Sequence, residues 1–159
     1  MSQKGLDAHY QGRHPVGVRP LARFVEAQDE DGAFATAMDE LRSGRKRSHW
    51  MWFVFPQLAG LGRSDTARWF AIDSLAEASA FLDDPVLSAR LTLASELVLD
   101  LVPRPMTEVF GPTDAVKLRS SMTLFHRAAP DEPVFSAVLD RCFDGVPDPL
   151  TDRLLADAS

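Results

Sequence analysis

The chain is predicted to fold as an all-α single domain of about seven to eight helices. Three observations predict this. Apolar residues recur at helical spacing through most of the chain after residue 20. Cap residues stand where each periodic stretch begins: Ser48, Ser64, Ser74, Pro85, Thr113 or Asp114, Pro133 and Asp148. Neither hairpin dipeptides nor a regular alternation of strand-like and helix-like segments is found. At 159 residues the chain is one domain by size and buries enough apolar surface to fold without a metal or disulfide.

In chain order, residues 1–19 read as a flexible polar tail and 20–159 as the helical domain. His9 and His14 lie in the tail, where a solvated role outweighs metal binding. Leu21, Phe24, Val25 and Gln28 suit a first helix. Ala33 to Arg42 suits a second, with Phe34, Met38 and Leu41 on one stripe and Gly44 as its stop. Ser48 is expected to cap a third helix carrying His49 to Phe55, although a six-residue apolar run equally fits a buried strand. Ser64 opens a helix through Ala71. Ser74-Leu75-Ala76-Glu77 has capping-box form and opens one to Leu82. Val86 to Val102, after Pro85 in the first turn, is expected to be the longest helix. One turn over Met106 to Phe110, a helix from Thr113 or Asp114 to about Ala129, one from Pro133 to Gly145 and a short one after Asp148-Pro149 complete the set.

Net charge is −6 at pH 7, which disfavours nucleic acid as a partner. Cys142 is the single cysteine, so neither an intrachain disulfide nor a cysteine-based metal site is expected. The N-terminus has no apolar signal region, and the longest apolar run, Trp50 to Phe55, is too short to span a bilayer. A cytoplasmic protein with no membrane association and no cofactor is the expectation.

Two segments carry the residues from which chemistry could be built. In the first, Arg45-Lys46-Arg47 runs into Ser48-His49, then Trp50 to Phe55, then Pro56-Gln57. Cations at a helix N-terminus oppose the macrodipole, and an anion there would relieve the conflict. Arg45, Arg47 and Ser48 are therefore expected to bind a phosphate-like group, Trp50 or Trp52 to stack on a ring, Gln57 to join the ligand set, and His49 to act as acid or base. The bland alternative is a solvated loop beside core aromatics, which burial statistics favour. In the second segment, Asp114 to Phe125, a helical wheel puts Ala115, Leu118, Met122 and Phe125 on the core face. It puts Asp114, Lys117 and Ser121 on one shoulder, Arg119 and His126 on the other, and Ser120, Thr123 and Arg127 outward. Asp114, Lys117 and Ser121 could form a proton-transfer trio, with Lys117 and Arg119 as ligand-binding cations. The alternative is an ion pair plus a hydroxyl bonded to its own helix.

Those two segments, with Gly60-Leu61-Gly62-Arg63-Ser64 between them, resemble the bacterial family known as domain of unknown function 1810, from about Leu21 to Phe143. The resemblance implies a mainly helical fold and brings no established reaction. The His-Trp-x-Trp segment bears a fold-level similarity to proteins that process ADP-ribose. The resulting expectation is an anion- or nucleotide-binding pocket where the two segments meet, with hydrolysis of a phosphorylated or ADP-ribose-like metabolite as the reaction. The alternative is a non-enzymatic module that docks an acidic partner through the basic patch.

Overall fold

A computed structural model describes residues 19–158, and these form an all-α domain with no strand among them. The tail read over residues 1–19, with His9 and His14, lies outside the described residues except for Arg19. The helices are α1 (Ala22–Asp29), α2 (Ala33–Ser43), α3 (Met51–Val54), α4 (Asp65–Trp69), α5 (Leu75–Asp83), α6 (Pro85–Leu99), α7 (Met106–Ala128), α8 (Pro133–Cys142) and α9 (Pro149–Asp157). A 3-10 turn, Glu30–Gly32, joins α1 to α2. Among the described residues no helix is long and apolar enough to cross a membrane.

The caps explain most boundaries. Ser64 accepts from the Ala67 amide and Ser74 from the Glu77 amide. The return arm of the expected capping box lands one residue early, where Glu77 accepts the Asp73 amide at 2.9 Å. Asp84 and Asp148 each precede a Pro in the first turn and accept first-turn amides. Gly44 ends α2 at φ 84°, a left-handed position that costs glycine nothing. Gly111, at φ 81° and ψ 163°, interrupts α7, and Pro112 restarts it. The sequence reading of one turn followed by a longer helix describes this break.

Ser48 is the exception. The third helix starts at Met51, after Trp50, and no side chain caps it. Its four residues make a single turn, because Ser48 spends its hydroxyl on a different partner.

α7 is the central element. It packs against α5, α8 and α9, while α6 packs against α2, α5 and α8. A relay of rings crosses the core: Phe24 to Phe81 at 5.1 Å, Phe81 to Phe125 at 5.2 Å, and Phe125 to Phe135 at 5.8 Å between centroids. These rings join α1, α5, α7 and α8 in edge or tilted contacts, the arrangements that the ring quadrupole favours. The non-helical segment after α3 is held by an isolated parallel bridge. Ile72 N donates to Gln57 O, and Ala59 N donates to Ile72 O, both at 2.8 Å. This bridge fixes the loop that carries Gln57 and Leu58 against the body of the domain.

Candidate ligand-binding cleft

The basic run of the first segment is divided by backbone direction. Arg45 and Arg47 are exposed, and Lys46 between them turns inward. Lys46 N donates to Val109 O at 2.8 Å, which ties the run to the start of α7. Its side chain is 8% exposed, and the ammonium donates to Ser48 O at 2.5 Å, meets Asp114 Oδ2 at 2.9 Å and lies 5.0 Å from the Trp50 ring centroid.

The anion that the segment was expected to take from a ligand is supplied by the protein itself. Glu40, near the end of α2, accepts Arg47 N at 2.7 Å, Ser48 N at 2.9 Å, Ser48 Oγ at 2.6 Å and Trp50 Nε1 at 2.9 Å. Burial pushes its carboxyl up. The Ser48 hydroxyl, the Arg47 and Ser48 amides and the Trp50 indole outweigh that effect and hold it at about 2. Ser48 and Trp50 are therefore committed to an internal carboxylate, and Trp50, 2% exposed, offers no face to a ligand.

The two segments do meet. Asp114 takes Lys46 on one oxygen and Lys117 on the other, at 2.9 and 3.5 Å. The Lys117 ammonium lies 5.0 Å from the Trp52 ring centroid, within cation–π range. Lys117 and Trp52 stand on the wall of a cleft of about 650 Å³, the size of a small-molecule site. The loop between α3 and α4 contributes Gln57, Leu58, Leu61 and Arg63 to it, and α7 contributes Thr113, Val116 and Ser120. Asp148 and Leu150, at the start of α9, close one end. The walls are mostly apolar, with a few polar groups converging.

Residues 19–155 match the family described as "Protein of unknown function (DUF1810)". The chain belongs to that family. It is similar to the crystal structure of the conserved hypothetical protein Rv1873 from Mycobacterium tuberculosis. The two share 48% identity with a TM-score of 0.82, over 86% of this chain and 96% of that one. No curated protein matches the chain.

In this DUF1810 member the residues singled out from sequence fall into three groups. Trp52, Gln57 and Lys117 line the cleft, and Asp114 touches it through Lys117. Arg45, Arg47 and His49 are exposed and stand outside its wall. Ser48, Trp50, Arg119 and Ser121 are used internally. Arg119 donates to Val146 O at 2.7 Å and Pro147 O at 2.9 Å, clamping the approach to α9. Ser121 is fully buried and its Oγ has no hydrogen-bond partner. No hydrogen bond links it to Lys117, whose ammonium turns to Asp114 and Trp52, so the expected trio is not assembled.

The outward assignment of Ser120 and Thr123 is corrected as well, since they are 3% and 0% exposed. A wheel sees one buried face, but α9 covers a second face of α7. There Thr123 Oγ1 accepts Asp148 N at 2.9 Å and Ser120 Oγ donates to Asp148 Oδ2 at 3.0 Å. Glu40 and Asp148 were missed. Each is a single acid without a local pattern, and its partners lie 7 to 10 and up to 28 residues away. Asp148 was legible only as a helix opener. Among the described residues no group of three or more His, Cys, Asp or Glu could hold a metal ion.

The two tryptophans separate a core role from a site role. Trp50→Ala removes a buried ring and its bond to Glu40, so a loss of about 3–5 kcal/mol in a urea melt is expected. Trp52→Ala, at the half-buried cleft wall, should cost much less. Equal losses would place Trp52 in the core.

Proposed function

We propose that this protein binds a small phosphorylated metabolite carrying a planar ring, such as a nucleotide, in the cleft between Trp52 and Lys117. The observation that carries this reading is the Lys117 ammonium held over the Trp52 ring on the wall of a cleft of ligand size. Trp52 offers a ring for stacking. Lys117 offers a cation, and the exposed Arg63 offers a second at the rim. The apolar remainder lowers the local dielectric, which strengthens an ammonium–phosphate contact. Hydrolysis of a phosphorylated or ADP-ribose-like metabolite is the reaction expected from the sequence, and no residue of the cleft is assigned a catalytic role in it. His49 stands outside the cleft and Ser121 is sealed in the core.

The test is a thermal-shift screen against nucleotides, ADP-ribose, sugar phosphates and simple polyanions at two salt concentrations. A ligand at one hundred times its Kd adds about 2.7 kcal/mol of stability. A selective shift that survives high salt and disappears in both Lys117→Ala and Trp52→Ala is expected. A shift unchanged in those two variants would overturn the cleft as the site.

A second reading rests on Arg45 and Arg47, which stand exposed in an acidic protein. Beside them Arg104, also exposed, donates to Gly44 O at 3.1 Å. Such a face suits an acidic protein partner. Stabilisation by any polyanion, abolished by salt and by Arg45→Ala with Arg47→Ala, would favour this module over the cleft.

A further inference from the structure

Asp148 is 6% exposed and yet lines the cleft. Its carboxylate is used unevenly. Oδ2 accepts three donors: Ser120 Oγ at 3.0 Å, Thr151 N at 3.0 Å and Thr151 Oγ1 at 2.6 Å. Oδ1 has no donor among the described residues, nor is it among the sealed polar atoms that lack a partner. The anchor on Oδ2 is rigid, because Asp148 is also the N-cap of α9 and its own amide donates to Thr123 Oγ1. A carboxylate that is almost wholly buried, immobilised on one oxygen and open on the other, is an acceptor pre-oriented for a donor that the protein does not supply.

We infer that Asp148 Oδ1 is a ligand-contacting acceptor for a hydroxyl group, which narrows the cleft's ligand to a phosphorylated sugar or a nucleotide with an intact sugar. This rests on the cleft reading above. The charge pattern selects hydroxyl over ammonium: a cationic donor entering the cleft would face Lys117 and Arg63, whereas a neutral hydroxyl pays no such repulsion. One ligand then satisfies three unlike walls, with a ring on Trp52, a phosphate on Lys117 and a sugar hydroxyl on Asp148.

Asp148→Asn tests this with little change in the fold. Asparagine caps a helix about as well as aspartate, and its carbonyl can keep the bonds to Ser120 and Thr151. Its amide nitrogen then replaces Oδ1, turning the acceptor into a donor. The probes are adenosine monophosphate and its dideoxy analogue, titrated by calorimetry against the wild type, Asp148→Asn and Lys117→Ala. The wild type should prefer the hydroxyl-bearing probe by roughly ten- to a hundredfold, the range for a hydrogen bond to a charged group. Asp148→Asn should shrink that preference to a few-fold at most, because the hydroxyl can still accept from the new amide but loses its charged acceptor, and it should bind the dideoxy probe as the wild type does. Lys117→Ala should weaken both probes together. Equal wild-type affinity for the two probes overturns the inference without need of a variant, as does a preference that is undiminished in Asp148→Asn. If Lys117→Ala still weakens both in those cases, the cleft reading stands and only the hydroxyl assignment falls. Absence of adenosine monophosphate binding to the wild type overturns both.

Discussion

Glu40→Ala should destabilise the domain by about 3 kcal/mol or more, read as a lowered urea midpoint with little change in slope. The carboxylate gathers the Arg47 and Ser48 amides, the Ser48 hydroxyl and the Trp50 indole, and the substitution strands the three part-buried donors, of Ser48 and Trp50, at once. Stranded donors at a part-buried site cost more than the net worth of the bonds that are lost. Glu40→Gln should recover only part of the loss, because one of its terminal groups presents hydrogens to donors. The same site sets a pH dependence. Folding lowers the Glu40 carboxyl from its ordinary 4.5 to about 2. The unfolded chain therefore binds the extra proton between those values, and stability rises with pH across that window. The contribution is complete above about 4.5 and is lost as pH falls through about 2. Urea midpoints of the wild type at pH 7 and pH 3 should differ by more than those of Glu40→Ala. Parallel pH profiles would show that the carboxylate does not carry this stability.

Arg23→Ala should cost about 3–5 kcal/mol, the range for removing one partner of a buried charged network. Arg23 is 0% exposed. Its Nε donates to Trp69 O and its Nη2 to Ala71 O, both at 2.8 Å. Nη1 reaches Arg19 O at 2.9 Å and Pro20 O at 3.0 Å, and Glu77 faces the fork at 3.4 Å. The guanidinium also lies 4.4 Å from the Phe24 ring centroid. Burial lowers its affinity for a proton, and the Glu77 carboxylate works against that. The fork closes carbonyls at the C-terminal end of α4 and in the loop after it. Arg23→Lys should fall close to the alanine variant, because one ammonium cannot span carbonyls arranged for a planar fork. Near-wild-type stability in the lysine variant would show that charge alone suffices there.

Much of the fold was legible because helices are local. Periodicity gave the stripe of Phe34, Met38 and Leu41 on α2, of which Met38 and Leu41 are buried and Phe34 is half-buried against the core. Asp84-Pro85 and Asp148-Pro149 announced their helices through chemistry that acts within three residues. The turn read over Met106 to Phe110, followed by a new helix from Thr113 or Asp114, likewise corresponds to the break in α7 at Gly111. The site was legible in part. Trp52 and Gln57 were named from the composition of the first segment, and Lys117 from its place beside Asp114 on the helical wheel of the second. Trp50 and Trp52 could not be told apart, because whether a ring faces core or cleft depends on what Glu40, ten residues earlier, does with the indole.

The sequence by itself determined the helical class, the order of the elements, most of their ends, and the two segments whose composition sets them apart. Those properties follow from interactions spanning a few residues, which the order of side chains states directly. Only the tertiary structure decided which charges are spent and which remain open. Lys46 turns inward while Arg45 and Arg47 stay in solvent. Glu40 takes the place expected for a bound anion, and α9 buries Ser120 and Thr123 while one oxygen of Asp148 is left without a donor among the described residues. Each outcome depends on a partner brought close by folding, so no local pattern encodes it. Burial drives each pairing, because a polar group removed from water without a partner costs free energy, wherever in the chain that partner lies.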